Sequence, residues 1–278
     1  MSIKYSAILP HGFNLIEEIY PNPNNEWKEL IDSMKEVAES IYNANPQVIL
    51  IASPHNLRIE GQIGLITSEW IEGTWWNDDK TKKAELKVRT DRETSKIIYQ
   101  RAKELSLPIV AVNYGAAGGE YSTMKMDWGT LIPLWYVNKI YKRNNEVIPP
   151  IVLITPSREI PWENLVELGK MMNGVCVNKG ITSVYIASCD HGHAHDPDGP
   201  YGFHPASKVF DDQIINWIKS SELEKILTLS PEFIDQAKPD SFWQMLILIG
   251  ILEVAELKNK LCVYGCPEYY GMIVASFV

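Results

Sequence analysis

Six short runs of mainly apolar residues recur along the chain, and longer segments with helical spacing separate them. The runs predict buried strands at Ser6–Leu9, Val48–Ser53, Ile109–Asn113, Ile151–Thr155, Ser183–Ser188 and Met272–Phe277. Apolar residues spaced three and four apart predict helices over Glu26–Asn43, Asp91–Leu105 and Trp162–Val175. Strands that alternate with helices pair in parallel through right-handed crossovers. The pattern therefore predicts an α/β fold with a central, mostly parallel sheet flanked by helices.

Length and charge limit the number of domains and the classes of partner. A chain of 278 residues is near the upper end of what one hydrophobic core supports, so we expect a single domain over residues 1–278. Lys and Arg number 26 against 35 Asp and Glu, which gives a net charge of -9. Such a protein repels phosphate backbones and anionic membrane surfaces. We therefore expect no nucleic acid and no membrane among its partners.

The longest apolar run, Phe242–Leu252, contains Gln244 and is shorter than the roughly 20 residues that a membrane span needs. It predicts a buried helix. The N-terminal segment lacks the pattern of a signal peptide, and the four cysteines form no CxxC pair. We expect a cytoplasmic protein with reduced thiols.

The segment Glu69–Lys83 departs from the alternation of strands and helices. It contains three tryptophans followed by an acidic and then a basic cluster. This composition predicts a long loop or a hairpin insertion. The segment either forms a lid or uses its aromatic residues to cover the sheet or a subunit interface.

The six histidines are placed in relation to the predicted strands. His11 and His55 each follow a strand end and a proline, while the others are His191, His193, His195 and His204. Imidazoles at the C-terminal ends of parallel strands can converge on one point, and neutral imidazoles bind Fe(II), Zn(II) or Cu(II). A lone histidine at such a place is also a common loop residue, and a His-rich turn can be a surface feature.

A metal site with two histidines needs a further ligand, and a carboxylate is the expected type. Asp240 follows Pro239 at the start of the apolar helix, where it is either a ligand or a helix cap. Glu253 and Glu268 are the competing carboxylates.

Five segments carry a resemblance to a known family. In chain order they are ILPHG, LIASPHN, MDWGTLIPLWYV at 126–137, ASCDHGHAHD at 187–196 and EYYGMIVASF at the C-terminus. With these segments in this order, the chain resembles the class III extradiol dioxygenases of the LigB-like superfamily. Members open catechol rings with O2 on a non-haem Fe(II).

The resemblance implies a metal centre in this chain. It places two iron ligands at His11 and His55 and a third, acidic ligand at Asp240. The catalytic histidine corresponds to His193, with His195 as the alternative. The implied cofactor is Fe(II), and Zn(II) or Mn(II) are alternative occupants of the same ligands.

The resemblance also implies partners and substrate contacts. The substrate is a small aromatic diol or 2-aminophenol together with O2, and a homodimer or larger assembly is expected. Asp127, Trp128 and Tyr201 are the expected substrate-binding residues. Asp190 and Asp196 are expected to orient the imidazoles.

One position departs from the family pattern. Trp128 stands where many relatives have a histidine after the aspartate of the DxGT motif, and an indole cannot exchange the same proton. Two alternatives to ring opening therefore stay open. One is a metal-dependent hydrolase on the same scaffold, and the other is a non-enzymatic protein like those of the Memo-like branch.

Overall fold

A computed structural model describes residues 2–278, in which strands and helices alternate. The strands are β1 (Ile3–Leu9), β2 (Val48–Ala52), β3 (Ile63–Ile66), β4 (Trp70–Trp76), β5 (Lys83–Arg89), β6 (Ile109–Val112), β7 (Thr123–Lys125), β8 (Ile151–Pro156), β9 (Ser183–Ser188), β10 (Asn259–Gly265) and β11 (Met272–Phe277). The α-helices are α1 (Asn25–Asn43), α2 (Arg92–Glu104), α3 (Trp128–Arg143), α4 (Trp162–Lys179), α5 (Pro205–Ser220), α6 (Pro231–Ala237) and α7 (Phe242–Ala255). The six predicted strands and the predicted helices are confirmed.

Eight strands form the main sheet, in the order β10-β11-β1-β9-β2-β8-β3-β6. The four central strands β1, β9, β2 and β8 are parallel to one another. Towards the edges, β11 is antiparallel to β1 and β3 is antiparallel to β8. The sheet is therefore mixed, with a parallel centre. This centre brings the C-terminal ends of β1, β9 and β2 together at one edge of the sheet, which is where sites form in α/β folds.

Both faces of the sheet are covered, which explains why its central strands are mainly apolar. In β2, Val48 and Leu50 pack into the core beneath α2, α4, α5 and α7. Ile49 and Ile51 point to the opposite face and pack against α1 and α3. Such continuous apolar runs are typical of strands buried on both sides.

The tryptophan-rich segment folds as a hairpin and not as an irregular loop. Strand β4 pairs antiparallel with β5 and parallel with β7 to form a second, three-stranded sheet. Ala84, Leu86 and Val88 alternate with charged residues along β5 and are buried in the same core as α3. The hairpin is thus part of the packed structure. Of the two predictions for this segment, a long loop or a hairpin insertion, the hairpin is the one observed.

Helices α4 and α7 approach closely because glycines lie at their contact. A Cβ at Gly250 would lie 1.9 Å from the carbonyl oxygen of Val166, and one at Gly169 would lie 2.0 Å from that of Ile247. The two backbones therefore pack directly against each other. Within residues 2–278, no helix has the combination of length and apolar character that a membrane span requires.

We predict that Gly250→Ala destabilises the protein by about 1–3 kcal/mol, because the added methyl group overpacks the α4–α7 contact. Gly174→Ala is the matched control, since Gly174 lies within α4 and its Cβ would meet nothing within 4 Å. That change should instead stabilise by about 0.5–1 kcal/mol through helix propensity. Urea unfolding measures both free energies, and equal effects of the two substitutions would contradict the close packing.

Candidate metal centre

Three side chains converge at the edge of the sheet where the parallel strands end. His11 lies two residues after β1 and His55 three residues after β2, and both of these strands pair with β9. Asp240 lies two residues before α7. These are the three ligands that the sequence resemblance implied, and the structure brings them together.

The three donor atoms are close enough to share one ion. His11 Nε2 and His55 Nε2 lie 3.2 Å and 3.1 Å from the same oxygen, Asp240 Oδ2, and 3.0 Å from each other. Neighbouring ligands at right angles on one ion, with bonds of about 2.1 Å, are separated by about 3.0 Å. Two imidazoles and one carboxylate on one side of an ion also match the donor set of non-haem iron sites. The residues present therefore fit a divalent transition metal.

The tautomer of His11 follows from its neighbour on β9. The Ser188 hydroxyl donates its hydrogen to the carbonyl oxygen of Gly129. Since this hydrogen is already used, Ser188 Oγ accepts a bond from His11 Nδ1, 2.8 Å away. The proton on Nδ1 leaves the lone pair of Nε2 free to bind a metal. A hydrogen bond from the second ring nitrogen is the usual way in which proteins orient a metal-binding imidazole.

Two buried carboxylates surround His11. Asp190 accepts a hydrogen bond from the His11 backbone N–H at 3.1 Å, and its other oxygen lies 3.4 Å from His11 Nε2. Burial alone would lower the pKa of His11, but the charges of Asp190 and Asp240 outweigh burial and raise it to about 9. For Asp240, burial opposes ionisation, yet the facing histidines hold the pKa of its carboxyl well below the usual value. The cluster therefore attracts a cation, and a metal ion would replace the proton.

His193 faces the same site with a free nitrogen. Its Nδ1 lies 2.6 Å from the carbonyl oxygen of His191 and must donate to it, which leaves the lone pair on Nε2. This Nε2 is 3.9 Å from Asp240 Oδ2. Burial lowers the pKa of His193, so the imidazole is neutral at physiological pH. The ring stacks on Tyr270 with centroids 5.3 Å apart.

His195 does not line the cavity that contains the metal ligands, and its imidazole has a different partner. Its Nε2 is 2.9 Å from Asp211 Oδ2, on α5. Asp211 also accepts hydrogen bonds from the Gly192 backbone N–H at 2.8 Å and the Tyr264 hydroxyl at 2.9 Å. We call Asp211 with these three partners the Asp211 clamp. Because Gly192 and His195 flank His193 in sequence, the clamp fixes the segment that carries His193. Of the two alternatives for the catalytic histidine, His193 is the one placed at the metal ligands.

Aromatic residues enclose a cavity of about 140 Å³ over the ligands. The Trp128 ring stacks on His55 with centroids 4.2 Å apart, and Tyr201, which is 56% exposed, lies edge-on to His193 at 5.7 Å. Phe13, Tyr269 and Tyr270 also line this cavity. These three residues were not predicted from the sequence, although Tyr269 and Tyr270 lie in the segment EYYGMIVASF, which was a signal for them.

Asp127 has a role that differs from the expected contact with substrate. Its carboxylate accepts hydrogen bonds from Ser53 Oγ, Asn56 Nδ2 and both the backbone N–H and the hydroxyl of Thr130. The bonds from Thr130 cap the N-terminus of α3, and those from Ser53 and Asn56 join it to the loop after β2. Both carboxylate oxygens are thus already hydrogen-bonded within the protein. Asp127 therefore positions the adjacent Trp128.

The remaining acidic candidates lie away from the ligands. Glu253 pairs with Lys170 at 2.8 Å on the surface, and Glu268 accepts a hydrogen bond from Asn14 at 2.8 Å. Asp196 accepts a hydrogen bond from the backbone N–H of Asp198 and stabilises a local turn. Of the two aspartates expected to orient imidazoles, only Asp190 contacts one of the metal-site histidines.

We predict that Ser188→Ala weakens metal binding about 10–100-fold, because His11 loses the acceptor that fixes its tautomer. The matched control is Ser183→Ala on the same strand, since the Ser183 hydroxyl is buried without a hydrogen-bond partner. Competition with a chelator measures both affinities. A Ser188→Ala protein that binds metal like the control would contradict the role of Ser188.

We predict that the Asp211 clamp makes stability depend on pH. Burial alone would lower the pKa of His195, but its bond to Asp211 raises it from 6.5 to about 9. The stabilisation is therefore complete below about pH 6.5 and is lost as pH rises through about 9. Tyr264 and Cys266 also face this pair and remain in all the variants.

Thermal unfolding from pH 6 to pH 10 tests this dependence. In Asp211→Asn and His195→Gln proteins, which cannot form the ion pair, the decline in Tm over this range should be smaller than in the unmodified protein. A decline of the same size in all three proteins would contradict the clamp.

Comparisons with known proteins agree with the fold and show the family. Residues 5–274 match the family described as the catalytic LigB subunit of aromatic ring-opening dioxygenase. Protein CA_C1420 of Clostridium acetobutylicum is 24% identical over 269 residues, covering 95% of this chain and 55% of that protein. The chain thus spans about half the length of this relative. The crystal structure of uncharacterized protein JW3007 from Escherichia coli K12 shares the fold, with a TM-score of 0.56, 13% identity, and coverage of 99% of this chain and 100% of that one. Since the family match extends over nearly the whole chain, this protein belongs to the LigB family of aromatic ring-opening dioxygenase catalytic subunits.

Proposed function

We propose that the protein is a non-haem Fe(II)-dependent extradiol dioxygenase that opens the ring of a catechol-type or 2-aminophenol-type aromatic. The observation that carries this proposal is the set of three donor atoms of His11, His55 and Asp240, all within 3.2 Å of one another. A neutral histidine, His193, stands beside them. The family membership supports the same class of reaction.

The reaction needs only the aromatic substrate and O2. The ring bond beside one hydroxyl-bearing carbon breaks, and both oxygen atoms of O2 enter the product. The four electrons that reduce O2 come from the substrate, so no further reductant is required. When bound by the three ligands, Fe(II) would supply open coordination positions for both substrate oxygens and for O2.

His193 is the group that would hold the substrate proton. Its Nδ1–H is fixed on the carbonyl oxygen of His191, so Nε2 is the acceptor that faces the cavity. Because the imidazole is neutral, Nε2 can take a proton from a ring hydroxyl and later return it. The Asp211 clamp keeps this nitrogen in place.

The cavity suits a single aromatic ring. Its volume of about 140 Å³ is close to that of a protein cavity of about 150 Å³ that binds benzene. Trp128 and Tyr270 line its walls, and aromatic walls favour a flat aromatic ligand and exclude water. Trp128 therefore acts as a wall, where a histidine would offer a proton donor. Tyr201 lies beside His193 and would contact the bound ring.

Oxygen consumption by anaerobically purified, Fe(II)-loaded protein tests the proposal. The panel contains catechols, hydroxylated aromatic acids and 2-aminophenol, and the same protein loaded with Zn(II) is the control. We expect O2 uptake with formation of a coloured ring-opened product in the Fe(II) sample alone. If Fe(II) is bound and no substrate on the panel consumes O2, the proposed reaction is refuted. Hydrolysis consumes no O2, so product formation by the Zn(II) sample without O2 uptake would instead indicate a hydrolase.

We predict that His193→Ala retains Fe(II) but lowers kcat by about 10²–10⁴-fold, the usual contribution of general acid–base catalysis. His11→Ala serves as the contrasting variant, because it removes a metal ligand and should lose the iron itself. Metal analysis and oxygen uptake distinguish the two effects. Full turnover by His193→Ala would exclude this residue from the chemistry.

A further inference from the structure

A second cavity adjoins the metal site. It lies between the β4–β5 hairpin, β7, the start of α3 and the loop after β2, and its volume is about 400 Å³. Its lining includes His55 and Trp128, which also line the metal cavity. Two neighbouring cavities thus share two wall residues, one of which is a metal ligand.

The surface of this second cavity is mainly apolar. Six of its eleven lining residues are apolar or aromatic, namely Leu57, Trp75, Met124, Met126, Trp128 and Leu131. Met side chains are flexible and polarisable, and they adapt well to aromatic groups. The cavity therefore offers a contact surface for an apolar or aromatic group.

Two of the polar residues in the lining are already bonded within the protein. The Asp127 carboxylate accepts four hydrogen bonds, two from Thr130 and one each from Ser53 and Asn56. The Asn56 amide donates to Lys125 O and Asp127 Oδ2 at 2.9 Å each, and its oxygen accepts from the Leu57 backbone N–H at 3.0 Å. A polar ligand group would have to break these bonds, whereas an apolar group would leave them intact.

The sizes of the two cavities suggest how they divide a substrate. At about 140 Å³ the metal cavity holds one ring, so a large substituent on that ring must lie elsewhere. The second cavity, at about 400 Å³, is within the usual range of ligand pockets. The Phe13 ring stacks on Trp75 with centroids 4.7 Å apart, which links an aromatic wall of the metal cavity to one of the second cavity.

We propose that this second cavity receives an apolar or aromatic substituent of the substrate. The substrate class is then a catechol or 2-aminophenol that carries an alkyl chain or a second ring, rather than an unsubstituted or carboxylated one. This inference rests on the proposed ring-opening function for the identity of the reacting ring. The cavity and its apolar lining do not depend on that function.

The first experiment measures binding without chemistry. Isothermal titration calorimetry compares phenol with 4-phenylphenol on the Zn(II)-loaded protein, in which no oxidation occurs. We expect 4-phenylphenol to bind at least about tenfold more tightly, because its second ring is buried. Equal affinities for the two phenols would overturn the proposal.

Substitution of Met124 locates the binding in the second cavity. Met124→Phe narrows the cavity and should remove most of the advantage of 4-phenylphenol, while Met124→Ala widens it and should preserve binding. Met171→Phe is the matched control, since Met171 is 8% exposed against 7% for Met124 but lies on α4, across the sheet. If Met124→Phe and Met171→Phe have the same affinities for 4-phenylphenol, the second cavity is not its site.

The second experiment measures substrate preference during turnover. With Fe(II)-loaded protein, kcat/KM for 4-phenylcatechol or 4-butylcatechol should exceed that for catechol by about tenfold or more. A preference for catechols with a carboxylate substituent would overturn the proposal. If no catechol is oxidised but 4-phenylphenol binds as expected, the proposed reaction fails and the assignment of the cavity stands.

Discussion

One carboxylate oxygen, Asp240 Oδ2, joins the parts of the chain that form the site. It faces imidazoles from the ends of β1 and β2, while Asp240 Oδ1 accepts a hydrogen bond from the Asp190 backbone N–H after β9 at 2.9 Å. Asp190 and Asp240 are both buried, and buried charges are costly unless they are paired. This part of the core is therefore stable only with positive charge among the carboxylates, from a proton on His11 or from a metal ion. The close contact between α4 and α7 at Gly169 and Gly250 fixes the position of α7. Asp240 lies two residues before this helix, so the contact also helps to position the carboxylate.

The sequence was sufficient to predict the centre of the sheet and the edge strand β6, but not β3 or the other edge strand, β10. Strands β1, β2, β8 and β9 are almost entirely buried, and each contains a mainly apolar run that predicts a strand covered on both faces. Strand β3 has only four residues, including Gly64, and β10 is half-exposed and carries polar residues, so neither gives such a signal. The alternation of apolar and charged residues along β5 was a usable signal for a strand, but the adjoining tryptophans and charged residues obscured it. Antiparallel pairing at the edges depends on tertiary contacts that no local pattern records.

The candidate site was predictable where backbone topology determines it. His11 and His55 follow strands whose order in the sheet brings their ends together, so their convergence follows from the fold. The role of each histidine at 191–195 does not follow from the order of the strands, because it depends on which hydrogen-bond partner each imidazole has. His193 is oriented by the carbonyl of His191, whereas His195 is bound by Asp211 on α5. The family resemblance placed Asp240 correctly beside the histidines, but it could not show that both oxygens of the Asp127 carboxylate are hydrogen-bonded within the protein.

The ligand positions have a consequence for biosynthesis. His11, His55 and Asp240 are separated by most of the chain, and in the folded protein their donor atoms lie within 3.2 Å. While the chain is being synthesised, its first two ligands leave the ribosome long before the third, so the complete site cannot exist on a nascent chain until the segment before α7 has emerged. Metal loading must follow translation of the segment before α7. Products of premature termination before this point would contain both histidines but lack the carboxylate, so they would hold only two of the three donors.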